Sequence, residues 1–131
     1  MTPGPLRHVS HVQVFVLPAL WEASVKFYSD TLGIALRVRD DAGGYAIFGF
    51  EGGPTLGLEP DRPEAGEPPA SGKFTGFSFR VDDVDRVHAD LLAKGVVFEH
   101  GPETMPWGGR LAHFKDPSDN VLTLVQYPKG W

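Results

Sequence analysis

Residues 11–33 read HVQVFVLPALWEASVKFYSDTLG, and the pattern they carry occurs a second time later in the chain. Residues 11–16 are rich in β-branched side chains and open in apolar–polar alternation, which predicts a strand. Val12, Val14 and Val16 fall on one face of it, and His11, Gln13 and Phe15 on the other. Pro18 stops it, because proline has no N–H for a ladder. Over 20–32 the spacing turns helical: Leu20, Ser24, Phe27 and Thr31 form one stripe, with Trp21, Val25, Tyr28 and Leu32 beside it. Gly33 stands at the helix-closing position, where positive φ costs glycine nothing. Three strand-like runs follow at 34–39, 45–50 and 55–59, parted by Gly43-Gly44 and Gly52-Gly53-Pro54.

A break with four prolines and no large apolar residue comes next, EPDRPEAGEPPASGK at 59–73, and it reads as a linker. Then the order recurs. Residues 74–81 alternate, with Phe77, Phe79 and Val81 on one face and Gly76, Ser78 and Arg80 on the other. Asp82 or Asp83 suits a helix N-cap. Val84, Val87, His88 and Leu91 follow at helical spacing, and Gly95 closes that helix as Gly33 closes the first. Strands are expected at 96–100, 110–114 and 121–126, with a turn at Asp116-Pro117-Ser118-Asp119-Asn120. The fold class is therefore α+β: one domain, 1–131, of two βαβββ modules at about 8–59 and 74–127, joined by the linker at 60–73.

Composition bounds the function. A length of 131 residues suits one domain with a real core. The absence of cysteine excludes a disulfide scaffold, a Cys-ligated zinc site and a thiol nucleophile, and it fits a reducing cytoplasm. Gly and Pro make up 28 of the residues, well above the average share, so many turns are expected. A net charge of −5 without a basic cluster argues against nucleic acid as a partner. No apolar run reaches a membrane span, and the start lacks a signal-peptide pattern, so a cytoplasmic protein is expected.

The duplicated module resembles the vicinal oxygen chelate superfamily: glyoxalase I, bleomycin-resistance proteins, fosfomycin-resistance enzymes and extradiol dioxygenases. The carrying residues are Phe27-Tyr28-Ser29-Asp30-Thr31-Leu32-Gly33, Phe79-Arg80-Val81-Asp82-Asp83-Val84-Asp85, Gly95-Val96-Val97-Phe98, Pro106-Trp107-Gly108-Gly109-Arg110 and Asp116-Pro117-Ser118-Asp119-Asn120-Val121-Leu122. The last is similar to the family's D-P-x-G-N turn with Asp119 for Gly, and Asp tolerates the left-handed conformation. The resemblance implies two half-barrels around a cavity, and a homodimer. It also implies that metal-dependent members carry ligands on the first and last strand of each module. Those positions fall on Gln13, Gly57, Gly76 and Thr123. Only Gln13 is an accepted donor, so no metal or other cofactor is expected. A displaced divalent site would draw on His11, Gln13 and Glu59, with His113 as a further donor.

Alternation nominates a ligand-binding set of Gln13, Phe15, Ser78, Arg80 and Thr123, with Val125 beside them and Trp107 as a flat lid from a glycine-rich loop. Arg80 suits a carboxylate or phosphate, or else a salt bridge at the strand end. His113 is the catalytic candidate, as a general base, if its ring faces inward. His8 and His100 read as exposed and His88 as a packing residue. Neither a phosphate loop nor a nucleophile elbow occurs, and Asp82, Asp83 and Asp85 read as helix-start charges. The leading expectation is a metal-free small-molecule binding protein of the bleomycin-resistance kind. A metal-dependent lyase, isomerase or dioxygenase with a displaced site, and a metal-free enzyme using His113, stand as alternatives.

Overall fold

Alternation in the opening segment becomes β1 (His11–Val16), whose Val14 and Val16 point into the core while His11 and Gln13 stay exposed. A computed structural model gives the fold, and it describes residue 2 and residues 4–131. The expected first helix divides into three parts: a 3-10 turn at Pro18–Leu20, α1 (Trp21–Lys26) and a π-turn at Phe27–Thr31. In the π-turn Leu32 N–H bonds to the Phe27 carbonyl, 2.9 Å away. Gly33 then takes φ +71°. Strands β2 (Ala35–Asp40), β3 (Tyr45–Gly49) and β4 (Thr55–Pro60) complete a four-stranded sheet in the order β1-β4-β3-β2. Its closing pair, β1 with β4, is parallel.

The second sheet repeats this plan with β5 (Phe74–Arg80), β6 (Val97–Phe98), β8 (Arg110–Lys115) and β9 (Val121–Gln126) in the order β5-β9-β8-β6. Here the predicted strand at 96–100 shrinks to β6 (Val97–Phe98), and a further short strand, β7 (Glu103–Thr104), pairs with β8. Gly101-Pro102 explains the break, since proline offers no ladder donor. Helix α2 (Val84–Ala93) starts at Asp83, whose carboxylate accepts the Arg86 N–H at 3.1 Å. Its end is a Schellman turn: Val96 N–H bonds to the Leu91 carbonyl and Gly95 N–H to that of Leu92. Asp85 does more than complement the helix start; it forms a two-pronged ion pair with Arg110 at 2.8 and 2.9 Å. Among the described residues no helix is long and apolar enough to cross a membrane.

No strand of one sheet pairs with a strand of the other among the described residues. The two modules instead share one core, which joins Val25, Tyr28, Phe48 and Leu58 to Val84, Leu91, Phe114 and Leu122. Phe27 meets Phe114 with ring centroids 6.4 Å apart, and Phe50 meets Phe79 at 6.0 Å. Directional links come from the 116–120 turn, where Asp119 adopts φ 63°. The buried Asp116 carboxylate accepts from Tyr28 Oη at 2.8 Å, the Ser118 and Asn120 N–H groups at 2.8 and 3.0 Å, and Asn120 Nδ2 at 2.9 Å. Asn120 Nδ2 also donates to the Phe15 carbonyl, and Leu17 N–H donates to Ser118 Oγ. Burial pushes the Asp116 carboxyl up, against the hydrogen bonds from Asn120, Tyr28 and Ser118 that favour its charge. Burial beside that carboxylate likewise raises the Tyr28 phenol well above its ordinary value.

The expected linker loses Pro60 to β4; residues 61–73 hold no helix or strand, yet they are anchored. Asp61 N–H bonds to the Val16 carbonyl at 2.7 Å, and Asp61 Oδ2 accepts from Ala70 N–H, Ser71 N–H and Ser71 Oγ. Three outcomes follow. Tyr28→Phe removes a donor from a buried carboxylate and lowers unfolding stability by about 1–3 kcal/mol in urea titrations. Because the folded pKa of Asp116 is raised, the folded state holds that proton more tightly. Stability therefore shifts in favour of wild type over Asp116→Asn as the pH falls from neutral through the folded pKa toward the unfolded carboxylate value. Asp61→Ala frees the loop, and endoproteinase Glu-C then cleaves the native protein after Glu64 faster than it cleaves wild type.

Candidate functional site

Each sheet turns one face away from the core, and each such face forms its own groove. In the second module, alternation along β8 sends Ala112 and Phe114 into the core and leaves Leu111 and His113 on the open face. Register places His113 directly across from Thr123, and His113 Nδ1 lies 2.8 Å from Thr123 Oγ1. Phase was the undetermined part of the sequence reading for His113; the ring lies in this groove. The groove measures about 360 Å³, within the range of small-molecule sites.

One side of the groove is a panel of aromatic rings. Trp107, Tyr127 and Trp131 pack with centroids 5.5–5.9 Å apart, and the Tyr127 and Trp131 planes lie within 19° of each other. Trp107 reaches the panel by lying over Gly109, where any Cβ would collide with the indole. This explains the glycine at 109 by close approach rather than by φ. Phe74 meets His113 edge-on at 5.9 Å. The Arg80 guanidinium sits 4.7 Å above the Tyr127 ring and donates to the Trp131 backbone oxygen at 3.0 Å. Among the described residues Arg80 makes no salt bridge, so the strand-end ion pair is replaced by a cation–π contact.

The first module's groove, about 330 Å³, is polar. His11 Nδ1 lies 2.6 Å from Thr55 Oγ1, and its Nε2 lies 2.7 Å from Gln13 Oε1. A neutral ring protonated on Nε2 satisfies both contacts. Gly57, across from Gln13, lies beneath these two side chains; a Cβ there would come within 2.5 Å of Gln13 Oε1 and 2.7 Å of His11 Nε2. Glu59 lines the same groove.

The six ligand-binding candidates thus separate within one chain. Ser78, Trp107 and Thr123 share the aromatic groove with His113, whereas Arg80 lines a neighbouring pocket of about 370 Å³ with Ser78, Phe50 and Phe79 and touches the groove only through Tyr127 and Trp131. Gln13 belongs to the polar groove. Phe15 lines neither, and its carbonyl is engaged by Asn120. Sequence reasoning missed Phe74, Leu111, Tyr127 and Trp131. Phe74 precedes Gly76, Ser78 and Arg80 in phase, and Tyr127 continues Thr123 and Val125 by twos, so alternation could have found both. No sequence signal places Trp131.

The register also corrects the position assigned to Gly76. Phe74 pairs with Val121 and Ser78 with Thr123, so β5 holds two extra residues around Gly76, which takes φ +80° in the irregular stretch. Ser78, not Gly76, lies across from Thr123 as Gln13 lies across from Gly57. The four matching positions are therefore Gln13, Gly57, Ser78 and Thr123. One amide, one bare backbone and two hydroxyls do not fit a divalent metal of the kind the resemblance implies. Among the described residues no three His, Asp or Glu side chains converge on a point that could hold one. Of the displaced set, His11, Gln13 and Glu59 share the first groove, while His113 lies in the second.

Comparison with known proteins agrees with the architecture. The pattern of the Glyoxalase/Bleomycin resistance protein/Dioxygenase superfamily matches residues 8–124. An uncharacterized protein of Bacillus subtilis (strain 168), YraH, is 33% identical over 126 residues, covering 88% of this chain and 96% of its own. A superfamily member from Sphaerobacter thermophilus superposes with TM-score 0.77 at 28% identity, covering 93% of this chain and 98% of that one. TnmS3, an antibiotic binding protein from Streptomyces sp. CB03234, superposes with TM-score 0.76 at 31% identity, covering 96% of this chain and 100% of that one. With nearly the whole duplicated module pair inside the match, the chain belongs to the Glyoxalase/Bleomycin resistance protein/Dioxygenase superfamily.

Proposed function

We propose that the protein binds a planar aromatic small molecule in the groove of its second module, without a metal. The observation that carries this reading is the panel of Trp107, Tyr127 and Trp131, with Trp107 at 44% and Trp131 at 66% exposure. Large exposed rings grouped over a groove are costly to leave in water and suited to stacking on a flat ligand. The likeness to TnmS3, an antibiotic binding protein, supports sequestration rather than turnover. In this reading two copies associate and the cytoplasm is the setting. Each groove is walled by one module only, and a second chain supplies the opposing wall.

One observation favours a second reading, a metal-free enzyme. His113 lines the same groove, and among the described residues its Nε2 has no hydrogen-bond partner, so it is free to move a proton.

Thermal-shift screening against planar aromatics tests the first reading. Ligands that raise Tm are expected to lose about tenfold or more in affinity on Trp107→Ala, the scale of one stacking contact. Gly109→Ala, which expels the indole, should weaken binding similarly and reduce the near-UV circular dichroism. Calorimetric titration with Ni²⁺, Zn²⁺, Mn²⁺ and Fe²⁺ should show no tight stoichiometric site; such a site, abolished by Gln13→Ala, overturns the reading. Turnover of a groove ligand that disappears in His113→Ala while binding persists establishes the second.

A further inference from the structure

Residues 128–131 fold back over the aromatic groove, and the manner of their docking specifies a ligand. The Trp131 indole stacks on Tyr127 at 5.6 Å and lies 5.5 Å from Trp107. Its backbone oxygen accepts the hydrogen bond from Arg80 Nη2, and the same guanidinium covers Tyr127. One residue thus presents a flat ring to the aromatic panel and an oxygen acceptor to a cation that has no Asp or Glu partner among the described residues. Little else holds it. Trp131 is 66% exposed, its N–H makes a long 3.3 Å bond to the Pro128 carbonyl, and Gly130 before it takes φ +88°.

We infer that the place Trp131 takes against Tyr127, Trp107 and Arg80 is built for an aromatic carboxylate, and that Trp131 is an internal surrogate which such a ligand displaces. The inference rests on the binding reading above and names its ligand class. A ligand carboxylate that engages both prongs of the guanidinium outcompetes the single contact that the Trp131 oxygen makes through Nη2, because the two-pronged guanidinium–carboxylate pair is the stronger, charge-assisted arrangement. A fused ring replaces the indole on Tyr127 and Trp107. The tethered indole acts as an intramolecular competitor, so its removal strengthens binding of the true ligand.

Titration calorimetry with 2-naphthoate and its neutral isostere 2-naphthamide tests this, on the full chain and on Arg80→Gln, Arg80→Lys and Trp131→Ala. Both positions are exposed, and circular dichroism checks that each variant folds. The naphthoate is expected to bind about tenfold tighter than the amide, a difference that Arg80→Gln removes and Arg80→Lys partly keeps. Trp131→Ala is expected to tighten naphthoate binding about threefold or more, as loss of a tethered competitor requires. Equal affinity for acid and amide overturns the carboxylate class while the aromatic-binding reading stands. Weaker binding in Trp131→Ala makes Trp131 a wall of the site and overturns the surrogate role. No binding of either probe, in wild type or in Trp131→Ala, removes the inference and the binding reading together.

Discussion

The carboxylate of Asp116 is the point on which the two halves of this protein depend. The sheets exchange no backbone ladder, so their relative placement falls to side chains. Asp116 receives four hydrogen bonds, one of them from Tyr28 in the other module. Through Asn120 and Ser118 the same turn takes hold of β1 and of the chain just after it, and Asn120 Oδ1 receives the Gly72 N–H at the end of the linker. Such a buried charge is tolerable only while every acceptor position is filled. Apolar burial drives the halves together without direction; this node gives the contact a single geometry.

On that frame the duplicated module has diverged in chemistry. Both open faces carry a His–Thr pair across adjacent strands, yet from opposite sides of the last strand: His11 of β1 with Thr55 of β4, and His113 of β8 with Thr123 of β9. Around the first pair the groove is an amide, a carboxylate and bare backbone. Around the second it is aromatic. Equal folds thus carry unequal sites, which is why fold membership alone says little about ligand chemistry.

How far the residues themselves announced this is uneven. Periodicity was sufficient for the two modules, because alternation in 11–16 and 74–80 and helical spacing in 84–93 coincide with strong local propensity. Asp119 and Gly95 behave as their turn chemistry demands. The first helix was harder: nothing in the spacing of Phe27 and Leu32 distinguishes an α-turn from a π-turn. Register failed at Gly76, where two additional residues are absorbed into an irregular stretch that alternation cannot detect. His113 was ambiguous because Leu111 and Phe114 are both apolar on opposite faces, so burial alone could not set the phase. Trp131 was invisible, since its place depends on a contact with Arg80, fifty-one positions earlier.

The backbone at Gly57 bears on how this protein could change over time. His11 and Gln13 rest directly on it, so any new side chain there must first evict a mutually bonded pair. Acquiring a metal centre would then require exchanges at Ser78 and Thr123 as well, each useless until the others are made. Mutations among the groove aromatics, by contrast, each alter the ligand surface at once, and they are the steps through which a lineage carrying this scaffold would explore new specificities.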